Sequence, residues 1–308
     1  MWNTHGRCRR ALSLRCQLSQ NQFLNRDVYI YTYLDTSVLY LVATPIGNLS
    51  DLSFRAVETL KSCDYILCED TRHSSFLLKH YEINKPLKSY HRFNENKELE
   101  AIMEDLRDGR HIALISDAGT PILCDPGHLL IKKCREENVE VTAIGGPCAA
   151  LLALTLSGFD PLPFQFVGFL PKKQLELTQL LSQLFLYEGT TIAYETPHRI
   201  IETLEIAHSL APERNLCVMR ELTKIHEEHL TGNASALLAH FKINPPKGEL
   251  VFLIERSYQE EDWSHLSLKE HVEAVQKQWD LSLNDAIKTV AQIRKLPKRT
   301  VYQEIHKN

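Results

Sequence analysis

Apolar, strand-like runs at 38–43, 64–68, 111–116 and 139–144 alternate with helix-like segments near 52–61, 71–81, 95–108 and 127–137. This alternation constrains the fold more than any other feature. A strand, a crossover helix and a second strand at this spacing make a βαβ unit, and repeating the unit makes a parallel, doubly wound sheet with right-handed crossovers. A helix over 147–157 closes the series, and the turn-rich Gly158-Phe-Asp-Pro-Leu-Pro163 marks a domain boundary. A second block follows, with strands at 164–169, 189–194, 215–220, 226–231 and 249–255 and helices at 172–187, 197–210 and 233–241. Its strands crowd together near the end, so a mixed sheet is expected. The predicted fold class is α/β: two α/β domains over 38–158 and 159–256, then a small helical unit over 257–308.

In that last unit, Leu281–Ile293 has helical period, with Ser282 or Asn284 as cap. Another helix starts near Leu296, with Pro297 in its first turn. Two helices joined by a short turn have the form of a helix-turn-helix. The end is basic, with Lys288, Arg294, Lys295, Lys298, Arg299 and Lys307 against Glu304. Residues 1–37 have another character: five arginines, no acid before Asp27 and no clear period. They read as a poorly ordered tail or a wrongly assigned start, with a transit peptide as the third option.

The net charge of -4 gives no global basic field, so any nucleic-acid contact must use local patches. Eight cysteines include no Cys-x-x-Cys pair and no zinc spacing, which points to a reducing cytosol and no metal. The longest apolar segment, Cys148–Phe159, is too short to span a bilayer. The chain is expected in the cytoplasm.

Open α/β sheets bind ligands beyond the carboxyl ends of their strands. Four loops there carry chemistry. Thr44-Pro-Ile-Gly-Asn48 follows the first strand and matches neither the dinucleotide fingerprint nor a P-loop; Ser50 or Asp51 caps the next helix. Cys68-Glu-Asp-Thr-Arg-His73 places an acid, a guanidinium and an imidazole at one strand end, although Asp70 and Thr71 also read as a helix cap. Ser116-Asp-Ala-Gly-Thr-Pro121 with Cys124-Asp-Pro-Gly127 is a long, shaped loop whose small residues let a ligand reach the backbone. There Asp117 can bind a ribose hydroxyl or an amino group, and Asp125 and Pro126 read as a helix start. Ile144-Gly-Gly-Pro-Cys-Ala-Ala150 opens a helix whose N-terminus favours a carboxylate. The three glycine-containing loops together point to one elongated small-molecule ligand. In the second block, Tyr194–Arg199, Arg220–Lys224 and Pro246–Glu249 again join acids to cations at strand ends.

Taken in order, Thr44-Pro-Ile-Gly-Asn-Leu, Glu69-Asp-Thr-Arg-His, Ser116-Asp-Ala-Gly-Thr-Pro, Asp125-Pro-Gly, Tyr194-Glu-Thr-Pro-His-Arg, Arg220-Glu-Leu-Thr-Lys and Pro246-Lys-Gly-Glu form a set. It resembles the ribosomal RNA small subunit methyltransferase I family, the RNA branch of the tetrapyrrole methylase superfamily. The resemblance runs from about Leu39 to Glu255 and continues weakly through Leu281–Ile305. It implies S-adenosyl-L-methionine as methyl donor and 2′-O-methylation of a cytidine ribose in the decoding region of 16S rRNA. The implied partners are that RNA, or the small ribosomal subunit, and a second copy in a homodimer. The donor is expected at Pro45, Ile46, Gly47, Asp117, Ala118, Gly119, Thr120, Gly146, Pro147, Cys148 and Ala149, with Thr196, Lys247 and Gly248 closing the cleft. Cys124 and Cys148 stand where the family has serine, and Gly145 where it has proline.

Removing a proton from a ribose hydroxyl needs a base or a cation that stabilises the alkoxide. Candidates are Glu69, Asp70 and His73, with Arg72 or Lys224 as the cation and Glu195 and Glu221 as second choices. RNA contacts are expected from Arg72, Arg92, Arg199, Lys295, Lys298 and Arg299. The alternatives are a tetrapyrrole C-methyltransferase, which would carry a Gly-x-Gly first loop, and a non-catalytic ribosome-assembly factor.

Overall fold

The computed structural model describes residues 37–257, 266–279 and 281–306. The expectations for residues 1–36 lie outside the described residues. The first sheet holds β1 (Val38–Val42), β2 (Tyr65–Cys68), β3 (Leu87–Ser89), β4 (Ile112–Ile115) and β5 (Glu140–Ile144), in the order β3-β2-β4-β1-β5. All its pairings are parallel. Every residue of β2 and β4 is buried, as expected of strands covered on both faces. On one face α1 (Phe54–Ser62) and α2 (Thr71–His80) pack Ala56, Leu60 and Leu78 against Val42, Ile66 and Ile115. On the other, α3 (Glu95–Arg107) and α4 (His128–Glu136) pack Ile102, Met103, Leu106 and Leu130 against Leu39, Leu67 and Leu114.

The connection from β1 to β2 passes β4, and the connection from β4 to β5 passes β1 on the opposite face. The chain therefore leaves β1 and β4, which are neighbours, in opposite directions. That divergence opens the crevice in which doubly wound sheets bind ligands.

Local chemistry adjusts two expectations here. Ser53, rather than Ser50 or Asp51, caps α1, its Oγ accepting from Ala56 N at 3.1 Å. Residues Leu49–Asp51 form a short 3-10 turn of their own, capped by Asn48. Strand β3 was not expected, because three half-buried residues carry no readable period.

The second sheet is mixed, as expected. It holds β6 (Phe164–Phe169), β7 (Thr190–Glu195), β8 (Leu216–Arg220), β9 (Glu228–Gly232) and β10 (Leu250–Ile254) in the order β6-β7-β10-β8-β9. Only β6 and β7 run parallel. Helices α6 (Gln174–Leu184), α7 (Ile200–Leu210) and α8 (Ala234–Ile243) cover one face. The other face receives α5 (Ala149–Leu156), the helix that ends the first block. Its Ala150, Ala153 and Leu154 join Ile46, Ile192, Met219, Leu222, Val251 and Leu253 in one core. Each fully buried aliphatic side chain of this kind contributes about 1.5–3 kcal/mol. The two sheets are thus joined by apolar packing rather than by a bare linker.

The C-terminal unit has three helices: α9 (Leu268–Trp279), α10 (Leu283–Ile293) and α11 (Lys298–Ile305). Their own core contains Val272, Val275, Ile287, Val290 and Val301. Helix α9 was not expected, because charged residues dilute its apolar spacing at Leu268, Val272 and Val275. Ser282 caps α10, while Pro297 sits at the N-cap of α11 rather than inside its first turn. Among the described residues no helix is long and apolar enough to cross a membrane.

Candidate functional site

Three strand-end loops of the first sheet are tied into one wall. Thr44 and Gly119 exchange backbone hydrogen bonds, Thr44 N to Gly119 O at 2.9 Å and Gly119 N to Thr44 O at 3.1 Å. Thr44 Oγ1 donates to Ser116 O at 3.0 Å, and Ser116 Oγ donates to Gly119 O at 2.8 Å. Thr120 Oγ1 donates to Pro147 O at 2.9 Å, which fastens the loop after β4 to the loop after β5. The facing wall comes from the second sheet: the turn after β8, the end of β7 and the start of β10.

Both walls store backbone strain. Seven non-glycine residues have positive φ among the described residues, and four lie here: Ile122 (77°), Cys124 (75°), Glu221 (52°) and Thr223 (67°). Such conformations cost about 1–3 kcal/mol each and persist where the surroundings enforce them, often at ligand clamps. The opposed walls enclose a cavity of about 370 Å³.

Of the residues expected to hold the methyl donor, Ile46, Asp117, Ala118, Gly119, Thr120, Cys148, Ala149, Thr196 and Gly248 line this cavity. Pro45, Gly47, Gly146, Pro147 and Lys247 are not among its lining residues. Gly146 lets its loop lie against Ala43, whose Cβ is 2.8 Å from where a Gly146 Cβ would stand. Gly47 has ordinary backbone angles; its reason is a close approach to the facing turn, because a Cβ would lie 2.8 Å from Thr223 Oγ1 and 3.0 Å from Leu222 O. Gly248 combines both needs, with φ at +78° and the Glu221 side chain in the space of a Cβ. Lys247 is exposed. The sequence reading missed Leu123, Phe169, Tyr194, Leu222 and Val251, which make much of the lining apolar. Cys148 is the N-cap of α5 and makes no capping hydrogen bond, consistent with the weaker hydrogen bonding of a thiol.

The cavity has a polar end. Asp117 and Asp125 line it, and Glu69, just after β2, accepts a hydrogen bond from the protonated Asp125 carboxyl. Burial and the neighbouring Glu69 push the Asp125 carboxyl up to about 7, against the lowering influence of Arg92. Burial and Asp117 raise Glu69 as well. Two carboxyls this close cannot both ionise easily, so they titrate as one unit. Asp125 is no helix start: α4 is capped by Gly127, which makes no side-chain cap bond. His73 Nε2 lies 3.2 Å from Asp117 O, and the Arg92 guanidinium donates to Cys124 O. Among the described residues no group of three or more His, Cys, Asp and Glu side chains is arranged to hold a metal ion.

The remaining expected residues divide by surroundings. Asp70 caps α2, and its exposed carboxylate is held at about 2 by hydrogen bonds from Arg72, which makes it a very weak base. Lys224 Nζ donates to Glu221 and Glu249, both at 2.9 Å, and fixes the turn facing Gly47. Arg199, expected to meet RNA, has its guanidinium engaged: it donates to Pro171 O, Leu170 O and Glu195, whose side chain is 0% exposed, and so braces the end of β7. Arg72, Arg92, Lys295, Lys298 and Arg299 are exposed.

The fold and cleft define a class, and comparison with known proteins gives the same one. The profile of the family described as Tetrapyrrole (Corrin/Porphyrin) Methylases matches residues 38–238. Among solved structures, diphthine synthase superposes with a TM-score of 0.55 at 11% identity, covering 72% of this chain and 90% of that one. Uroporphyrin-III-C-methyltransferase from Thermus thermophilus gives 0.51 at 17% identity, covering 71% and 94%. Likeness at this identity shows the fold alone. Sequence relatives narrow the class. The ribosomal RNA small subunit methyltransferase I of Synechocystis sp. is 42% identical over 269 residues, 86% of this chain and 96% of its own. That of Bacillus subtilis is 42% identical over 289 residues, 92% and 99%. The chain belongs to the ribosomal RNA small subunit methyltransferase I family, within the tetrapyrrole methylases.

The methyl donor is S-adenosyl-L-methionine. The cavity suits it: apolar side chains for a purine ring, carboxylates for hydroxyl or ammonium groups, and backbone at Gly119 and Gly248 kept free of a Cβ. Its volume falls in the usual range of ligand pockets, roughly 300–1,000 Å³.

Proposed function

We propose that this protein methylates the 2′-oxygen of a cytidine ribose in the decoding region of 16S rRNA. The RNA substrate is supported by relatives of that name that align over 96% and 99% of their own length. The observation that carries the oxygen as target is the Glu69–Asp125 carboxyl pair at the polar end of the cavity. A sugar hydroxyl must lose its proton to become a useful nucleophile, and a base working near neutral pH suits that task.

S-adenosyl-L-methionine, when bound, supplies an electrophilic methyl group that a hydroxyl oxygen can attack in line. The protein's own residues do the rest. The loops of Ile46, Asp117–Thr120 and Cys148–Ala149 form one wall of the donor site, and Thr196 and Gly248 belong to the other. Holding the reactants in one line is the main contribution of such walls. The Glu69–Asp125 pair takes the hydroxyl proton and passes it to solvent. Lys224 is a positioning residue that keeps the Glu221–Thr223 turn against Gly47. Arg72, Arg92 and the exposed Lys295, Lys298 and Arg299 of the C-terminal unit neutralise RNA phosphates, so affinity falls as salt rises. The unit over 257–308 acts as an RNA-binding module beside α/β domains at 38–158 and 159–256. The protein works in the cytoplasm as a homodimer.

A tetrapyrrole C-methyltransferase fits less well, because Pro45-Ile-Gly-Asn48 replaces a Gly-x-Gly first loop. Calorimetric titration with S-adenosyl-L-methionine separates the enzyme from a non-catalytic assembly factor. The wild type is expected to bind one donor per chain. Gly47→Ala is expected to bind about tenfold more weakly, a loss of about 1.4 kcal/mol, because its Cβ pushes the facing turn away. An absence of binding by the wild type would favour the assembly factor.

A further inference from the structure

The turn between β3 and α3 is tightly built yet exposes an aromatic ring. Asn94 closes it: His91 N donates to Asn94 Oδ1 at 2.7 Å, and Asn94 Nδ2 donates to Ser89 O at 2.9 Å. Asn94 N and Glu95 N both donate to His91 O. The Arg92 side chain is anchored on Cys124 O, a residue of the cavity wall. Phe93 N donates to His91 Nδ1 at 3.3 Å, and the two rings stand 6.0 Å apart in an edge-on pair. Every polar group named here has a local partner, yet the Phe93 residue is 98% exposed. Apart from its edge-on pair with His91, the phenyl ring is left to solvent.

The neighbouring surface has the same mixed character. Helix α2 leaves the adjacent strand β2, and it carries Arg72, Phe76 and Lys79 at i, i+4 and i+7, all exposed, with Phe76 at 71%. Phe93 directly follows Arg92, which meets the cavity wall at Cys124 O, and Arg72 lies in the first turn of α2 next to His73, which meets Asp117 O; Phe76 and Lys79 follow further along the same helix. A purely protein partner would not require this interleaving of flat rings and fixed cations. Single-stranded nucleic acid does: its bases stack on aromatic faces while its phosphates meet cations. Duplex RNA keeps its bases stacked internally and offers them to no such platform.

We infer that the β3–α3 turn, with Arg92 and the first turn of α2 as its cationic surround, forms a stacking platform for unpaired RNA bases, with Phe93 as its principal ring. This rests on the RNA methylation proposed above and adds a requirement: the substrate must be single-stranded next to the target ribose. The platform holds a neighbouring base while the ribose sits at the Glu69–Asp125 pair.

The test uses the full chain and a single-stranded RNA dodecamer of decoding-region sequence with one 2-aminopurine, against the same strand in a duplex. Wild type is expected to bind the single strand and quench 2-aminopurine fluorescence. Phe93→Leu, which keeps an apolar side chain but no ring, is expected to weaken single-strand binding about 5- to 150-fold, the range of one lost stacked base, and to lose the quenching. Phe93→Trp is expected to retain both. Duplex affinity and donor affinity should be alike in all three. Unchanged single-strand affinity and quenching in Phe93→Leu, with wild type binding RNA, overturns the platform alone. So does a change of oligomeric state in Phe93→Leu at unchanged RNA affinity, which would mean a second copy covers the ring. Failure of wild type to bind RNA in any form overturns the proposed RNA substrate as well.

Discussion

Glu69→Gln and Asp125→Asn are each expected to lower the single-turnover rate of methyl transfer at pH 8 by about 10²- to 10⁴-fold, the usual worth of a positioned general base. The reason lies in the coupling of the two carboxyls. Asp125 is pushed up to about 7 by burial and by Glu69, so the pair holds a proton below that pH and releases it above. The rate should therefore climb as pH rises through about 7 and then level off. Glu69→Gln removes a like charge that raises Asp125 and leaves burial, the larger cause, in place. The rising limb therefore moves part of the way to lower pH in Glu69→Gln while the plateau falls, because a weaker base accepts the proton less readily. A merely structural role would lower the rate without moving the limb.

The same coupling has a consequence for stability. An acid whose folded pKa lies above its unfolded value binds more protons in the folded state between the two. Asp125 rises from 3.8 to about 7, so it makes the protein less stable as pH increases across that window, and the cost is complete above it. Asp125→Asn should raise the unfolding free energy at pH 8, by on the order of 2 kcal/mol after solvent screening, and leave it nearly unchanged at pH 4. Gained stability with lost activity is the expected pattern for a residue held in place for function.

The second large effect concerns Arg199. Its guanidinium meets a carboxylate that solvent does not reach, and Thr196 N and Thr203 Oγ1 also donate to that carboxylate, at 2.7 and 2.9 Å. Arg199→Ala leaves Glu195 charged and unpaired in the interior. Breaking one side of such a pair costs about 3–5 kcal/mol. Thermal or urea unfolding should register that loss, together with slack at the end of β7, where Tyr194, Glu195 and Thr196 line the cavity. The salt dependence of RNA binding by the folded fraction should not change, because Arg199 meets no phosphate. Arg92→Ala should do the reverse: little effect on the unfolding midpoint and a salt slope reduced by about one. A lower salt slope in Arg199→Ala would restore the RNA contact first expected of it.

The contrast between these two arginines indicates what the sequence could carry. The alternation of strands and helices was legible because covered parallel strands are apolar throughout and loops are marked by glycine and proline. The near wall of the cleft was legible because its residues follow strands directly. The far wall was legible only at Thr196 and Gly248: Phe169, Tyr194, Leu222 and Val251 are ordinary strand and turn residues, and they face the cavity because α5 docks on the second sheet. Arg199 reads like any surface cation until β7 and the chain after β6 close around it. Asp125 was hidden differently. Asp-Pro-Gly is also a common way to begin a helix, and only the approach of Glu69 from another strand gives the carboxyl its other use. Gly47 is required by the facing turn, which no local spacing shows.

The central claim, transfer of a methyl group to a ribose oxygen of small-subunit rRNA, is tested most directly on the product. Small subunits from cells lacking this protein are incubated with labelled S-adenosyl-L-methionine and purified protein, and the rRNA is digested to nucleosides and separated by mass. The label is expected in 2′-O-methylcytidine, and Asp125→Asn is expected to abolish it on the same timescale. Label on a nucleobase, or no label in rRNA from a protein that binds the donor, would contradict the claim.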